Sequence, residues 1–280
     1  MTLWTKFLPM TLLLAVAPAG NAAAQSGRAS DKTDQRKDGL PVLVELFTSE
    51  GCSSCPPADA LLRKLEGMRT DTGQRIVALS EHVTYWNRLG WADPFSAETF
   101  SDRQNDYGER FHLDEIYTPQ AIVNGDREVN GSDGEAILRA VRLEGNAAAV
   151  KLEILSMKAG ARALSLTYSV SGTLPPEGAE VYVALADDQD TSYVGRGENA
   201  GLTLKHVSVA RSLTRMVKLW APEQRTVTIP LPESLGAQYA GGRHVVVFVQ
   251  VAGLGKVLGI ASQAIPATFP TAGTAVAAVH

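Results

Sequence analysis

The chain has 280 residues, is 45% hydrophobic and carries a formal net charge of -4. That apolar content suffices for one large domain or two ordinary ones, each with its own core. The acidic balance without a Lys/Arg cluster, and an aromatic content of 6%, exclude a phosphate-tracking or base-stacking nucleic-acid surface.

The N-terminus reads MTLWTKFLPMTLLLAVAPAGNAAAQ: one basic residue, Lys6, an apolar run from Phe7 to Ala19, then Ala22-Ala23-Ala24. This is a signal-peptide pattern over residues 1–24, with an uncleaved anchor as the alternative, and the run is short for a bilayer span. The mature chain is therefore expected to be periplasmic or secreted, with no membrane contact after cleavage. Residues 25–39 are polar and aperiodic and read as a flexible linker.

LPVLVELFTS (40–49) is apolar and β-branched, which predicts a buried strand. FTSEGCSSCPPADALL follows and holds both cysteines, Cys52 and Cys55. Leu61, Leu62, Leu65 and Met68 recur at helical spacing, and Pro56 and Pro57 fit only in a first turn, so a helix opens just after the pair. Residues 74–83 predict a second strand. Residues 96–111 predict a helix with Ser96 as N-cap. Asn124-Gly125 between AIV and DREV predicts a type I′ hairpin, and Ser132 with Glu135 predicts a capping box on a last helix.

From about residue 150 the period changes to two. Leu164, Leu166, Tyr168 and Val170 alternate with polar residues, as do Val181, Val183 and Leu185, and then Val207 and Val209. VVVFVQV (245–251) reads as a strand covered on both faces. Residues 150–268 therefore predict an all-β, sandwich-like domain, and 269–280 a loose tail.

The cysteines carry the chemistry. A bridge across two residues closes a tiny loop and removes little unfolded-state entropy, so a structural staple is the weakest reading. A Cys52 thiolate beside a helix N-terminus gains up to about 2 kcal/mol from the dipole. That lowers a thiol by about one unit from about 8.5. On this reading Cys52 is the exposed attacking thiol and Cys55, one turn in, the resolving one. Glu50 nearby opposes the shift. His82, Tyr85 and Trp86 follow the second strand and form either a substrate-facing rim or an aromatic cap on the core. A Cu(I) carrier using Cys52, Cys55 and His82 is a second reading, and a redox-sensitive interaction module a third. Zinc lacks a fourth ligand. No cofactor is expected and no residue is assigned to a metal. The glycines of VGRGENAG (194–201) precede a strand-like stretch and do not form a phosphate loop. A polar hairpin is the plainer reading of Arg196, Glu198 and Asn199, and His206 and His244 read as structural. No G-x-S-x-G elbow supports a hydrolase.

Strand, C-x-x-C, helix, strand, helix, then Thr118-Pro119 before a hairpin and a last helix resembles the thioredoxin superfamily. The resemblance implies an α/β thioredoxin-like domain over 40–145, a cis Pro119 beside the cysteines, and substrate contact through Thr118 and Pro119. LFTSEGCSSCPPAD, HVTYWNRLGWADPFS, YTPQAIVNG, GRGENAGLTLKHVSVAR and GKVLG resemble, over nearly the whole mature chain, a family of exported bacterial proteins of unknown function. The function expected from the cysteines is thiol–disulfide exchange with a protein or small-thiol partner.

Overall fold

The computed structural model describes residues 1–2, 40–144, 150–160, 162–231 and 242–265. The expected signal peptide (beyond residue 2), the linker and the tail lie outside them. The first strand, β1 (Val42–Thr48), is buried at every position, as its unbroken apolar run requires. α1 (Pro56–Leu65), β2 (Ile76–His82) and α2 (Glu98–Phe111) follow. The hairpin β3 (Gln120–Val123) and β4 (Arg127–Asn130) and then α3 (Gly134–Leu143) complete the first half. The hairpin turns on Asn124 at φ 53° and Gly125 at φ 66°, the left-handed pair that the Asn-Gly dipeptide supplies.

Two caps differ from expectation. Ala97, not Ser96, precedes α2, because the Ser96 hydroxyl donates to the Asp93 carbonyl at 2.8 Å. Asp133, not Ser132, caps α3, accepting from Ala136 N at 2.9 Å.

The second half contributes β5 (Val150–Ala159), β6 (Ala163–Gly172), β7 (Ala179–Tyr193), β8 (Thr203–Leu219), β9 (Glu223–Pro230), β10 (Arg243–Val251) and β11 (Val257–Ala264). The expectation of an α/β thioredoxin-like domain plus a separate sandwich-like domain does not hold. The described residues are 48% strand and 17% helix, with three α-helices among them. One mixed sheet of eight strands runs β11-β10-β7-β8-β2-β1-β3-β4 through both halves. β8 joins β2 in parallel at Ser80↔Val209, so the open edge of β2 is filled by a strand from the second half. At the other end, Val257 N donates to the Asn124 carbonyl at 2.8 Å, and Asn124 Nδ2 donates to the Val257 carbonyl at 3.1 Å. The change of period at residue 150 marks a change of connection, from helical crossovers to hairpins, and not a new domain.

Alternation along β7 shows how one sheet serves two cores. Val181, Val183 and Leu185 face the smaller sheet β5-β6-β9. Tyr182, Ala184 and Ala186 face the opposite side and pack with Leu43, Val77 and Leu79 from β1 and β2. α1 and α3 cover the other face of β1–β3 through Leu62, Leu65, Ile137 and Val141.

α2 is tied to the sheet by a buried charge. Arg103 donates to Glu45 Oε1 at 2.6 Å and to Gln250 Oε1 at 3.1 Å. Its guanidinium lies 5.0 Å from the ring centroids of both Tyr107 and Tyr182. Glu45 belongs to β1 and Gln250 to β10, so a single side chain links strands from the two halves.

Candidate functional site

β1 ends at Thr48, and Ser49, Glu50 and Gly51 carry the chain to the cysteines. Gly51 is packed closely there: a Cβ on it would lie 3.1 Å from Trp86 Cβ. Cys55 N donates to the Cys52 carbonyl at 3.2 Å, which closes the turn and brings the sulfurs together in a disulfide. α1 starts only at Pro56, with Cys55 as its N-cap. The first free helical donors, Ala58 N and Asp59 N, both go to the Cys55 carbonyl. These donors, like Cys55 N, are spent on backbone carbonyls, so what the helix offers the sulfurs is its field.

Cys52 and Cys55 are both fully buried, against the expectation of an exposed attacker, while Ser53 and Ser54 between them are exposed. Cys52 Sγ lies 3.3 Å from the Ser54 hydroxyl and 3.9 Å from the Thr118 carbonyl oxygen. Thr118-Pro119 is a cis peptide. Trp86 Nε1 donates to Thr118 Oγ1 at 2.8 Å and so fixes the segment beside the sulfur. Tyr85 packs on Trp86 and donates to Gln104 at 3.1 Å. Burial pushes the Tyr85 phenol above its ordinary value. Cys52, Cys55, Thr118, Pro119, Tyr85 and Trp86 therefore share one neighbourhood.

His82 does not line a rim. It is fully buried, with Nδ1 2.7 Å from Asp93 Oδ2. Asp93 also accepts from Glu50 N at 2.8 Å and from Phe95 N at 2.9 Å. Burial alone would lower the His82 imidazole, but the Asp93 carboxylate, with Asp59 and Glu50 behind it, outweighs burial and holds it above its usual value. Burial likewise works to raise Asp93, and His82 with the donated hydrogen bonds brings it below the carboxylate range.

A second histidine joins from β8. His206 Nε2 is 3.2 Å from Glu50 Oε1, and its ring meets that of His82 edge-on at 4.7 Å. Glu50 also accepts from Trp91 Nε1 at 2.8 Å and from the Ser192 hydroxyl. Asp59 on α1 accepts from Thr48 at 2.9 Å, and burial raises its carboxyl. Asp59 Oδ2, His82 Nε2 and His206 Nδ1 are buried without a hydrogen-bond partner. Three acids and two imidazoles thus sit sealed on the protein side of the C-x-x-C turn.

The connection between β7 and β8 reaches the turn directly. Asn199, only 3% exposed, donates through Nδ2 to the Glu50 carbonyl at 2.8 Å and the Cys52 carbonyl at 3.0 Å. Ser53 N donates to Glu198 at 3.1 Å, and the Ser53 hydroxyl together with that N lowers the Glu198 carboxyl from its ordinary value. Asn199, Glu198 and His206 are the residues that sequence reasoning set aside. One signal was present: Leu204, His206 and Ser208 share a strand face, and the buried Leu204 points that face inward.

One other constellation carries less. Ser208, His244 and Asp188 line up, with Ser208 Oγ 2.9 Å from His244 Nε2 and His244 Nδ1 2.5 Å from Asp188 Oδ1. Ser208 is fully buried and its hydroxyl donates to the Ala78 carbonyl at 2.7 Å, so it presents no nucleophile. Among the described residues no group of three His, Cys, Asp or Glu side chains is arranged to hold a metal ion.

Fold and site together define a mostly β protein whose mixed sheet presents a C-x-x-C disulfide at a strand-to-helix turn, pinned by a loop from its second half. The chain belongs to the family described as "Protein of unknown function (DUF1223)", whose model matches residues 43–250. A solved structure of protein AGR_C_4864 from Agrobacterium tumefaciens is similar at 29% identity, over 83% of this chain and 96% of that one, with a TM-score of 0.58. HBP35 of Porphyromonas gingivalis shares the fold at 14% identity, over 86% of this chain and 80% of that one, with a TM-score of 0.58. No curated protein matches the chain.

Proposed function

We propose that the protein is an exported thiol–disulfide oxidoreductase working through Cys52 and Cys55. The observation that carries the reading is the pairing of the chain's two cysteines across a turn whose Ser54 hydroxyl lies 3.3 Å from Cys52 Sγ. In the reduced state that hydroxyl donates to a Cys52 thiolate and stabilises it. The apolar N-terminal run and small-residue site are what supports a reaction in the periplasm or outside the cell.

The exchange runs in two steps. A partner thiolate attacks Cys52 Sγ, forming a mixed disulfide while the Cys52–Cys55 bond breaks and Cys55 leaves as a thiolate. A second partner thiolate then attacks the partner's own sulfur and releases Cys52. The partner loses two electrons and two protons, and both reach the cysteine pair; the reverse sequence oxidises a partner. Thr118 and Pro119, packed beside Cys52, border the path of approach, and Trp86 keeps them in place. Among the described residues no three His, Cys, Asp or Glu side chains are placed to hold a metal ion, which favours exchange over Cu(I) transport.

Equilibration with glutathione buffers of graded composition, followed by alkylation and mass spectrometry, tests the reading. It predicts a reversible transition of the pair and a trapped mixed disulfide in Cys55→Ser. A pair that stays oxidised in every glutathione buffer would overturn it.

A further inference from the structure

The connection over residues 194–202 narrows what the disulfide exchanges with. We propose that this loop is a selectivity clamp. It holds the C-x-x-C backbone in the conformation that buries both sulfurs and so slows attack by free small thiols, and a protein dithiol that displaces the loop exchanges faster. The inference rests on the disulfide-exchange reading above.

The clamp grips the turn at three backbone atoms. Asn199 Nδ2 holds the carbonyls of Glu50 and Cys52 at 2.8 and 3.0 Å, and Glu198 takes Ser53 N at 3.1 Å. These residues lie about 145 positions downstream of the cysteines, so the contacts are tertiary rather than local. The loop itself is braced: Val194 N donates to the Leu202 carbonyl at 2.9 Å and Gly201 N to the Val194 carbonyl at 2.8 Å. Gly197 has φ +77°, and a Cβ there would sit 3.3 Å from Trp91 Cβ, so the loop lies directly on Trp91. Trp91 in turn donates to Glu50 Oε2 at 2.8 Å.

Exchange needs a thiolate to approach a sulfur along the S–S axis. With both sulfurs buried, that path opens only when the turn moves, and the turn cannot move without releasing Asn199. A small thiol makes too few contacts to offset that release. A protein partner can offset it by burying apolar side chains at the loop, where Tyr193 and Leu202 flank it at 65% and 47% exposed and Leu89, whose carbonyl lies near Gly197, is 48% exposed.

The test uses the oxidised mature protein and follows the rate of Cys52–Cys55 reduction by dithiothreitol at fixed pH. Asn199→Ala is expected to be reduced about tenfold faster than wild type, because two hydrogen bonds to the turn are lost. Glu198→Ala, a change at an exposed side chain that leaves folding intact, is expected to speed reduction a few-fold. The equilibrium with glutathione should stay within twofold of wild type, because the gripped atoms are backbone atoms present in both redox states. Equal rates in wild type and both variants would overturn the clamp. A glutathione equilibrium that lies wholly at the disulfide when approached from the reduced as well as the oxidised protein would instead overturn the exchange reading, while the dithiothreitol rates still report on the clamp.

Discussion

Replacing Arg103 with Met should cost more stability than any other single change on the sheet face that α2 covers. The Arg103 guanidinium is 5% exposed, donates to Glu45 at 2.6 Å and lies against the Tyr107 and Tyr182 rings. Methionine fills much of the same space between the rings, so the loss is mainly electrostatic. It strands the fully buried Glu45 carboxylate, which keeps the Tyr107 hydroxyl at 2.8 Å and the neighbouring Glu81 carboxyl but no cation. Breaking a buried pair from one side costs about 3–5 kcal/mol. With a urea slope of about 3 kcal/mol/M, the midpoint should fall by roughly 1 M or more. The double variant Glu45→Leu/Arg103→Met removes both charges and should recover most of the loss. Urea unfolding followed by tryptophan fluorescence and by circular dichroism reads both quantities. Trp86 and Trp91 report on the site and Trp220 on the end of β8, and a single shared sheet predicts one coincident transition. A single-variant loss under about 1 kcal/mol, set against the buried-pair range, or separate transitions for the two halves, would refute the reasoning.

Ser54→Ala removes the hydroxyl beside Cys52 and should raise the Cys52 thiol pKa by about one unit and lower the potential of the pair by about 30 mV; ultraviolet absorbance of the thiolate against pH reads the first, and an unchanged titration would contradict it. Burial and the neighbouring Glu45 push the Glu81 carboxyl well above its ordinary value, with Arg103 only partly opposing. A raised carboxyl pKa means stability falls as pH climbs from about 4.3 toward the folded value. Glu81→Gln should flatten that decline, so its urea midpoint gains on wild type between pH 5 and 8, and parallel profiles would count against it. Asp93→Asn should let burial win at His82 and drop its imidazole pKa below the ordinary value, visible in the ring-proton NMR titration. The stability that wild type holds below about pH 6.5 and loses as pH rises through the folded His82 value should shrink with it. A His82 midpoint that does not move would remove Asp93 as the cause.

Much of the chain was legible because local signals decide local structure. The unbroken apolar runs of β1 and β10, the prolines opening α1 and the Asn-Gly turn each carry their own physical reason. Thr118-Pro119 was paired with the cysteines because the order of elements between them resembles the thioredoxin superfamily, not because any local signal joins them. What was not legible is long-range. Nothing in LKHVSV says that Val209 will pair with Ser80, and that single parallel bridge turns two expected domains into one sheet. The same crossing brings His206 to Glu50 and Asn199 to Cys52, so the site residues that were missed are those delivered by tertiary pairing. His82 was misplaced for a related reason: the Asp93 that buries its charge lies in a loop with no periodic signal.

The central claim is that Cys52 and Cys55 exchange, and the reduction potential of the pair tests it most directly. The account predicts a value within the working range of dithiol oxidoreductases, between about -120 and -270 mV, whereas a value below about -300 mV would mark a permanent structural bridge and contradict it.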